Sequence, residues 1–173
     1  MLAPRHPERF DSVAGLLTSG GFPFTRRSQW DGYAPLAGSI LLLDTIGELA
    51  SLYQFADIAF IGGSLVPGGG HNVLEAAQVG KAILVGPSTE NFRDIIDVFR
   101  KADALRLVTL RTFIPTVLEL LENDVERAAL GNRALAVMRS QQGATQRTVD
   151  ELLKLIGNST PGMATPVSTE RRA

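Results

Sequence analysis

The chain has 173 residues, 45% of them hydrophobic and 20% charged, which is the size and apolar content of one globular domain. Its 17 Lys and Arg stand against 18 Asp and Glu for a formal net charge of -1, so it lacks the broad basic surface of a sequence-independent nucleic-acid binder, and no nucleic-acid partner is expected. The absence of cysteine excludes a disulfide framework, a thiolate zinc site and a cysteine nucleophile, and no apolar run approaches the roughly 18 residues of a membrane-spanning helix.

The start, Met1-Leu-Ala-Pro-Arg, lacks the apolar stretch of a secretory signal. From Pro7 to Ser19 the apolar residues Phe10, Val13, Leu16 and Leu17 recur at helical spacing behind a proline suited to a first turn, which predicts a helix. Phe22 to Arg26 reads as a short extended piece, residues 29 to 35 as a loop, and Ile40-Leu-Leu-Leu as a buried strand. An alternation follows: Thr45 to Phe55 helix, Ile58 to Ile61 strand, Asn72 to Val79 helix, Ala82 to Val85 strand, Asn91 to Ala102 helix, Leu105 to Val108 strand. Short apolar runs separated by amphipathic helices predict an α/β fold, a Rossmann-like parallel sheet covered on both faces.

From Arg111 to Gly157 the periodicity is helical, with breaks near Asn123-Asp124 and Gln142-Gly143 that predict three helices. Residues 158–173 are rich in Ser, Thr, Pro and Gly and are expected to form a disordered tail behind a folded unit spanning 1–157.

In an open parallel sheet ligands bind in the loops that leave the carboxyl ends of the strands. After Ile61 comes Gly62-Gly-Ser-Leu-Val-Pro-Gly-Gly-Gly-His-Asn-Val-Leu-Glu, a glycine-rich turn opening into a helix, where backbone N–H groups of Gly69, Gly70, His71 and Asn72 can approach a phosphate. Glu75, one turn along, offers two carboxylate oxygens to the vicinal hydroxyls of a ribose. The same residues also read as a capping box, because Asn72 and Glu75 have its spacing. His71 and Glu75 have the i, i+4 spacing of metal ligands, but no third ligand lies nearby, so no metal is expected.

In the loop after Leu43, the backbone around Thr45, Ile46 and Gly47 can read the edge of a flat base, or Thr45 and Glu48 simply cap a helix. A third loop offers Ser88, Thr89, Asn91 and Arg93 to a polar ligand, and Arg5 and His6 precede a helix begun at Pro7, a place for a phosphate or carboxylate. No pair of carboxylates stands out as an acid/base couple, and neither a Gly-x-Ser-x-Gly elbow nor a Walker Gly-Lys-Ser/Thr occurs.

Taken together, Pro4-Arg-His-Pro-Glu-Arg-Phe, Asp44-Thr-Ile-Gly-Glu-Leu, Ala56-Asp-Ile-Ala-Phe-Ile-Gly-Gly-Ser-Leu-Val, Gly69-Gly-His-Asn-Val-Leu-Glu-Ala-Ala and Gly86-Pro-Ser-Thr-Glu-Asn-Phe closely resemble one family. From about residue 2 to 155 the chain is similar to the carboxyl-terminal part of bacterial 3-deoxy-D-manno-octulosonic acid (Kdo) transferases. The resemblance implies a type B glycosyltransferase of two Rossmann-like domains that moves Kdo from CMP-Kdo to lipid A precursor, an acceptor hydroxyl attacking the anomeric carbon as CMP leaves. It places that step of lipopolysaccharide assembly in the cytoplasm, at the inner membrane, with peripheral membrane association, and it implies no cofactor beyond the donor substrate.

By the same likeness the chain corresponds to the donor half. Glu75 then faces the ribose, Arg5 and the Gly69 to Asn72 turn face the phosphate, and Ile46 and Gly47 lie near the cytosine. The chain departs from the family at Gly68, where a basic residue is frequent, at Val73, where proline is frequent, and at Ser88, where histidine is frequent. The family's catalytic carboxylate and acceptor-binding domain are expected before this region, together with the central first strand of the 3-2-1-4-5-6 sheet order and its helix. Residues 1 to 3 read as the end of a strand, so the chain reads as an N-terminally truncated donor half with no independent catalysis. Another sugar-nucleotide transferase or epimerase of the same fold, and an inactive nucleotide-binding fragment, remain open readings.

Overall fold

A computed structural model describes residues 1–33 and 36–157. A 3-10 turn at Pro7–Arg9 leads into helix α1 (Phe10–Ser19), followed by strands β1 (Phe24–Arg26) and β2 (Ile40–Leu42). Then come α2 (Leu49–Leu52), extended by a 3-10 turn at Tyr53–Phe55, β3 (Ile58–Ile61), α3 (Leu74–Gln78), β4 (Ala82–Val85), α4 (Arg93–Lys101), β5 (Arg106–Leu107), α5 (Phe113–Glu122) and α6 (Asp124–Gly157). Every strand is where the apolar runs predict one, to within two residues at either end.

All pairings are parallel, but the strands form two sheets rather than one. In the first, β1 pairs with β2, and Leu2 adds a bridge on the far side of β2: its N–H donates to Leu41 O at 2.8 Å and its carbonyl accepts from Leu43 N at 2.9 Å. The second runs β3-β4-β5. Leu2 thus lies on the side of β2 away from β1, and β3 is one edge of the second sheet.

Side chains alternate across a strand, so β3 and β4 feed two cores. Ala59, Ile61, Ile83 and Val85 face Val73 and Ala76 beside and on α3, Ile96 and Phe99 on α4, and Ala134 and Val137 on α6. Ile58, Phe60, Ala82 and Leu84 face Phe113, Val117 and Leu120 on α5 and Leu130 on α6, with Phe60 and Phe113 edge to face at 4.8 Å. With both faces covered, all four residues of β4 are buried, as a continuous apolar run in a central parallel strand requires.

Three local expectations are corrected. Thr45 to Gly47 are not helical, and α2 starts only at Leu49. Helix α3 starts at Leu74 instead of Asn72, because the Asn72 side chain accepts from Leu74 N at 3.0 Å and closes a turn ahead of the helix. The C-terminal region holds two helices, not three: the break at Asn123 occurs, but α6 runs through Gln142-Gly143 without interruption. One glycine costs a helix about 1 kcal/mol, which a long run of helix formers absorbs. The expected disordered tail, 158–173, lies outside the described residues.

Candidate functional site

The glycine-rich loop after β3 is clasped by the loop after β4. Gly86 N donates to Ser64 Oγ at 2.8 Å and Ser88 N to Ser64 O at 2.9 Å, which ties the two strand ends together. Gly68 N and Gly69 N then donate to Ser88 Oγ at 3.2 and 3.1 Å, while Ser88 Oγ donates to Glu90 Oε2 at 2.8 Å. Asn91 N donates to Gly69 O at 3.1 Å, and Gly70 N to Gly63 O at 3.0 Å. Gly68, Gly69 and Gly70 therefore spend their amides on the clasp. This corrects the expectation that Gly69 and Gly70 offer amides to an anion: both are buried, with φ of +75° and +70°, and shape the loop. Beyond the three glycines, among the described residues no backbone hydrogen bond engages the amides of His71, Asn72 and Val73.

The fold brings Arg5 to this loop, with its Nη1 3.0 Å from His71 Nδ1. A guanidinium only donates, so His71 Nδ1 accepts and the ring is neutral, its proton on Nε2. Burial first, and the Arg5 charge second, push the His71 pKa below its ordinary value, which agrees with that neutral form. His6 is exposed and 3.8 Å from Glu8, and it too acts to lower the His71 pKa. Glu75 is exposed, and among the described residues its carboxylate has no hydrogen-bond or ion-pair partner. The capping box is not formed, since Glu75 makes no return bond to Asn72. Glu75 does lie near Tyr53, whose phenol is pushed up by burial and then by the Glu75 charge.

The loop after β2 is braced from its own base. Asp44, with a side chain 4% exposed, accepts from Ser28 N and Ser28 Oγ at 2.8 and 2.7 Å, with Arg26 at 3.6 Å. Thr45 Oγ1 donates to Glu48, which also accepts from Arg27 Nη2 at 2.9 Å. Thr45 and Glu48 thus bond side chain to side chain instead of capping a helix. Between these braces Ile46 and Gly47 are exposed, and among the described residues no hydrogen bond engages their backbone groups. Trp30 stacks under the Arg27 guanidinium at 5.9 Å and so belongs to the brace, while Tyr33 is exposed.

Sequence reasoning missed Ser64 as the knot of the clasp and Tyr53 as the neighbour of Glu75. It left Ser88, Glu90 and Asn91 in an undecided loop. A buried serine carries no periodic signal, and only the clasp geometry distinguishes it. Among the described residues no group of three or more His, Asp or Glu gathers to hold a metal ion.

These ionisations set a pH dependence. Burial pulls Asp44 up, but its Ser28 hydrogen bonds and Arg26 hold it below the ordinary carboxylate value. Thr45 first and then Arg27 hold Glu48 down, and Glu90 is lowered by its own N–H and by Ser88. A depressed carboxylate stabilises the fold above its unfolded pKa of about 4 and loses that contribution as pH falls through the folded value. His71 acts in the same direction, because below about 6.5 the unfolded chain takes up a proton that the fold resists. The melting temperature is expected to rise from pH 4 to pH 7 and then level, and Asp44→Asn should flatten the acid limb in melts across that range. A melting temperature highest at pH 4 would contradict these assignments.

Parallel strands, helices on both faces of the central sheet and polar loops gathered at the carboxyl edge make the chain a Rossmann-like α/β protein. No protein-family model matches it. It is similar to the crystal structure of the C-terminal CMP-Kdo binding domain of WaaA from Acinetobacter baumannii, with a TM-score of 0.72 and 34% identity over 78% of this chain and 70% of that one. It is 39% identical over 158 residues to the 3-deoxy-D-manno-octulosonic acid transferase of Bordetella pertussis, and 39% identical over 155 residues to that of Haemophilus influenzae. Those matches take in 91% and 88% of this chain. The chain belongs to the Kdo transferase family. It spans a little over a third of the length of those two relatives, 37% and 36%.

Proposed function

We propose that this chain binds CMP-Kdo and serves the donor side of Kdo transfer to a lipid A precursor, a glycosyl transfer at the cytoplasmic face of the bacterial inner membrane. The observation that carries the reading is the Arg5 to His71 hydrogen bond, which joins the end of one sheet to the glycine loop of the other beside an uncommitted Glu75. In this reading Arg5, the amides of His71, Asn72 and Val73, and the Nε2–H of His71 hold the donor phosphate. Glu75 accepts from the ribose hydroxyls, and the backbone of Ile46 and Gly47 reads the cytosine edge. Gly69 and Gly70 keep the loop in register. The likeness to a CMP-Kdo binding domain supports the choice of nucleotide.

Donor binding, rather than proton transfer, is the part this chain plays. Glu48 and Glu90 are engaged in hydrogen bonds that hold their pKa values low, which suits bracing and disfavours general-base work. Among the described residues no helix is long and apolar enough to cross a membrane.

The test is a calorimetric titration of the purified chain with CMP and with UMP. Cytosine and uracil present opposite donor and acceptor patterns at adjacent edge positions, so a backbone that pairs with one leaves the other unpaired. At least about 1.4 kcal/mol, or roughly tenfold, is expected in favour of CMP. Equal affinity for UMP would overturn the cytidine assignment and favour a uridine-sugar enzyme of the same fold.

A further inference from the structure

Along α5 and at its two ends, Leu110, Ile114, Leu118, Leu121 and Val125 are 76, 59, 52, 48 and 82% exposed. On the helix itself Ile114, Leu118 and Leu121 recur at i, i+4 and i+7, a stripe of the kind that normally faces a core. The core face of the helix, filled by Phe113, Val117 and Leu120, lies about a quarter turn round the axis from this stripe. The apolar arc of α5 is thus wider than the face the fold covers, and its exposed flank is the kind of surface that marks an interaction site.

Charge identifies what covers it. Nearby arginines are satisfied: Arg106 and Arg133 pair with Asp103 and Glu126, and Arg127 pairs with Asp57 and Asp124. By contrast Arg111, at the start of the stripe, and Glu122, at its end, have no ion-pair partner among the described residues. One cation at one end and one anion at the other make the stripe self-complementary under a two-fold axis, which is the commonest symmetry of soluble assemblies. We propose that a second copy of this chain docks on α5, antiparallel about a two-fold axis near Leu118, each Arg111 facing Glu122 of the other copy. A parallel arrangement would set like charges together. Glu119 and Glu122 beside the stripe, with Arg111 as the one cation, fit an anionic bilayer poorly, since peripheral membrane helices flank their apolar face with lysine and arginine.

The covered helix is ten residues, about 15 Å long, so the interface is small and the expected association is weak, in the micromolar range. Sedimentation velocity of the purified chain from low to high micromolar concentration should show a reversible monomer–dimer equilibrium. Leu118→Lys, which puts two like charges at the axis, should weaken it about tenfold or more. R111E alone and E122R alone should each weaken it, and the double variant R111E/E122R should restore it to within about threefold of the parent. These residues are exposed, so the variants should keep the parent circular dichroism spectrum and melt; should Leu118→Lys fail to do so, the charge-reversal series carries the test. A chain that stays monomeric throughout, a dimer indifferent to Leu118→Lys, or a double variant no better than the singles would each overturn the proposal. So would a strictly monomeric chain that instead sediments with phosphatidylglycerol vesicles, which would reassign the stripe to lipid.

Discussion

Replacing Glu75 by Gln is expected to lower the affinity of the chain for CMP about tenfold or more. A carboxylate that accepts from both ribose hydroxyls makes two charge-assisted hydrogen bonds, and exchanging it for an amide removes roughly 1.5 to 3 kcal/mol of that interaction. The structure makes this a clean substitution. Glu75 is exposed, forms no capping box and has no ion-pair partner among the described residues, so melting of the variant should stay within about 0.5 kcal/mol of the parent. Calorimetric titration with CMP reads the binding, and a spectrophotometric titration of tyrosine supplies an independent check. The Glu75 charge helps to raise the Tyr53 phenol, so in the variant that phenol should titrate lower. Unchanged CMP affinity together with a lowered Tyr53 would show that Glu75 sits where it is described but does not hold the ribose.

The largest structural effect is expected at Gly86. A Cβ on this residue would lie 2.1 Å from Ser64 O and 2.3 Å from Ser64 C, both backbone atoms that no rotamer change can move aside. Gly86→Ala must therefore separate the two loops that Ser64 and Ser88 hold together. The cost is about 3 kcal/mol, at the upper end for overpacking, which lowers the melting temperature of a chain this size by roughly 6 to 12 °C. CMP binding should fall with it, because Gly68 and Gly69 lose their acceptor once Ser88 moves. Gly15→Ala is the control. Its Cβ meets nothing within 4 Å on α1, and the change should stabilise the chain by roughly 0.5 to 1 kcal/mol. Equal melting of the Gly86→Ala variant and the parent would mean that the clasp is not closed in solution.

Much of the fold is legible in residue order alone. Ile58-Ala-Phe-Ile and Ala82-Ile-Leu-Val are short apolar runs bounded by turns, and they fall on β3 and β4 because a strand buried on both faces has no polar side to interrupt it. Their alternation with amphipathic helices dictates parallel pairing, and hence a single carboxyl edge on which the glycine-rich loop must lie. The motifs around Arg5, Asp44, Gly69 and Gly86 suffice to place the chain in its family, since each carries local turn chemistry that survives without knowledge of its neighbours.

What those motifs do to one another was decided by tertiary structure. Arg5 and His71 are 66 residues apart and meet only because Leu2 pairs beside β2 while the glycine loop leaves β3. Gly69 and Gly70 look in sequence like donors awaiting an anion, yet Ser88 and Gly63 consume the amides of this turn, so the unengaged N–H groups begin at His71. Asn72 and Glu75 match a capping box letter for letter. The Asn72 side chain instead closes on Leu74 N, which moves the start of α3 and leaves Glu75 uncommitted. Periodicity and turn chemistry are local and are written in neighbouring residues. Which donor meets which acceptor across two loops depends on how sheet register aligns the strand ends, and that alignment exists only once the chain has folded.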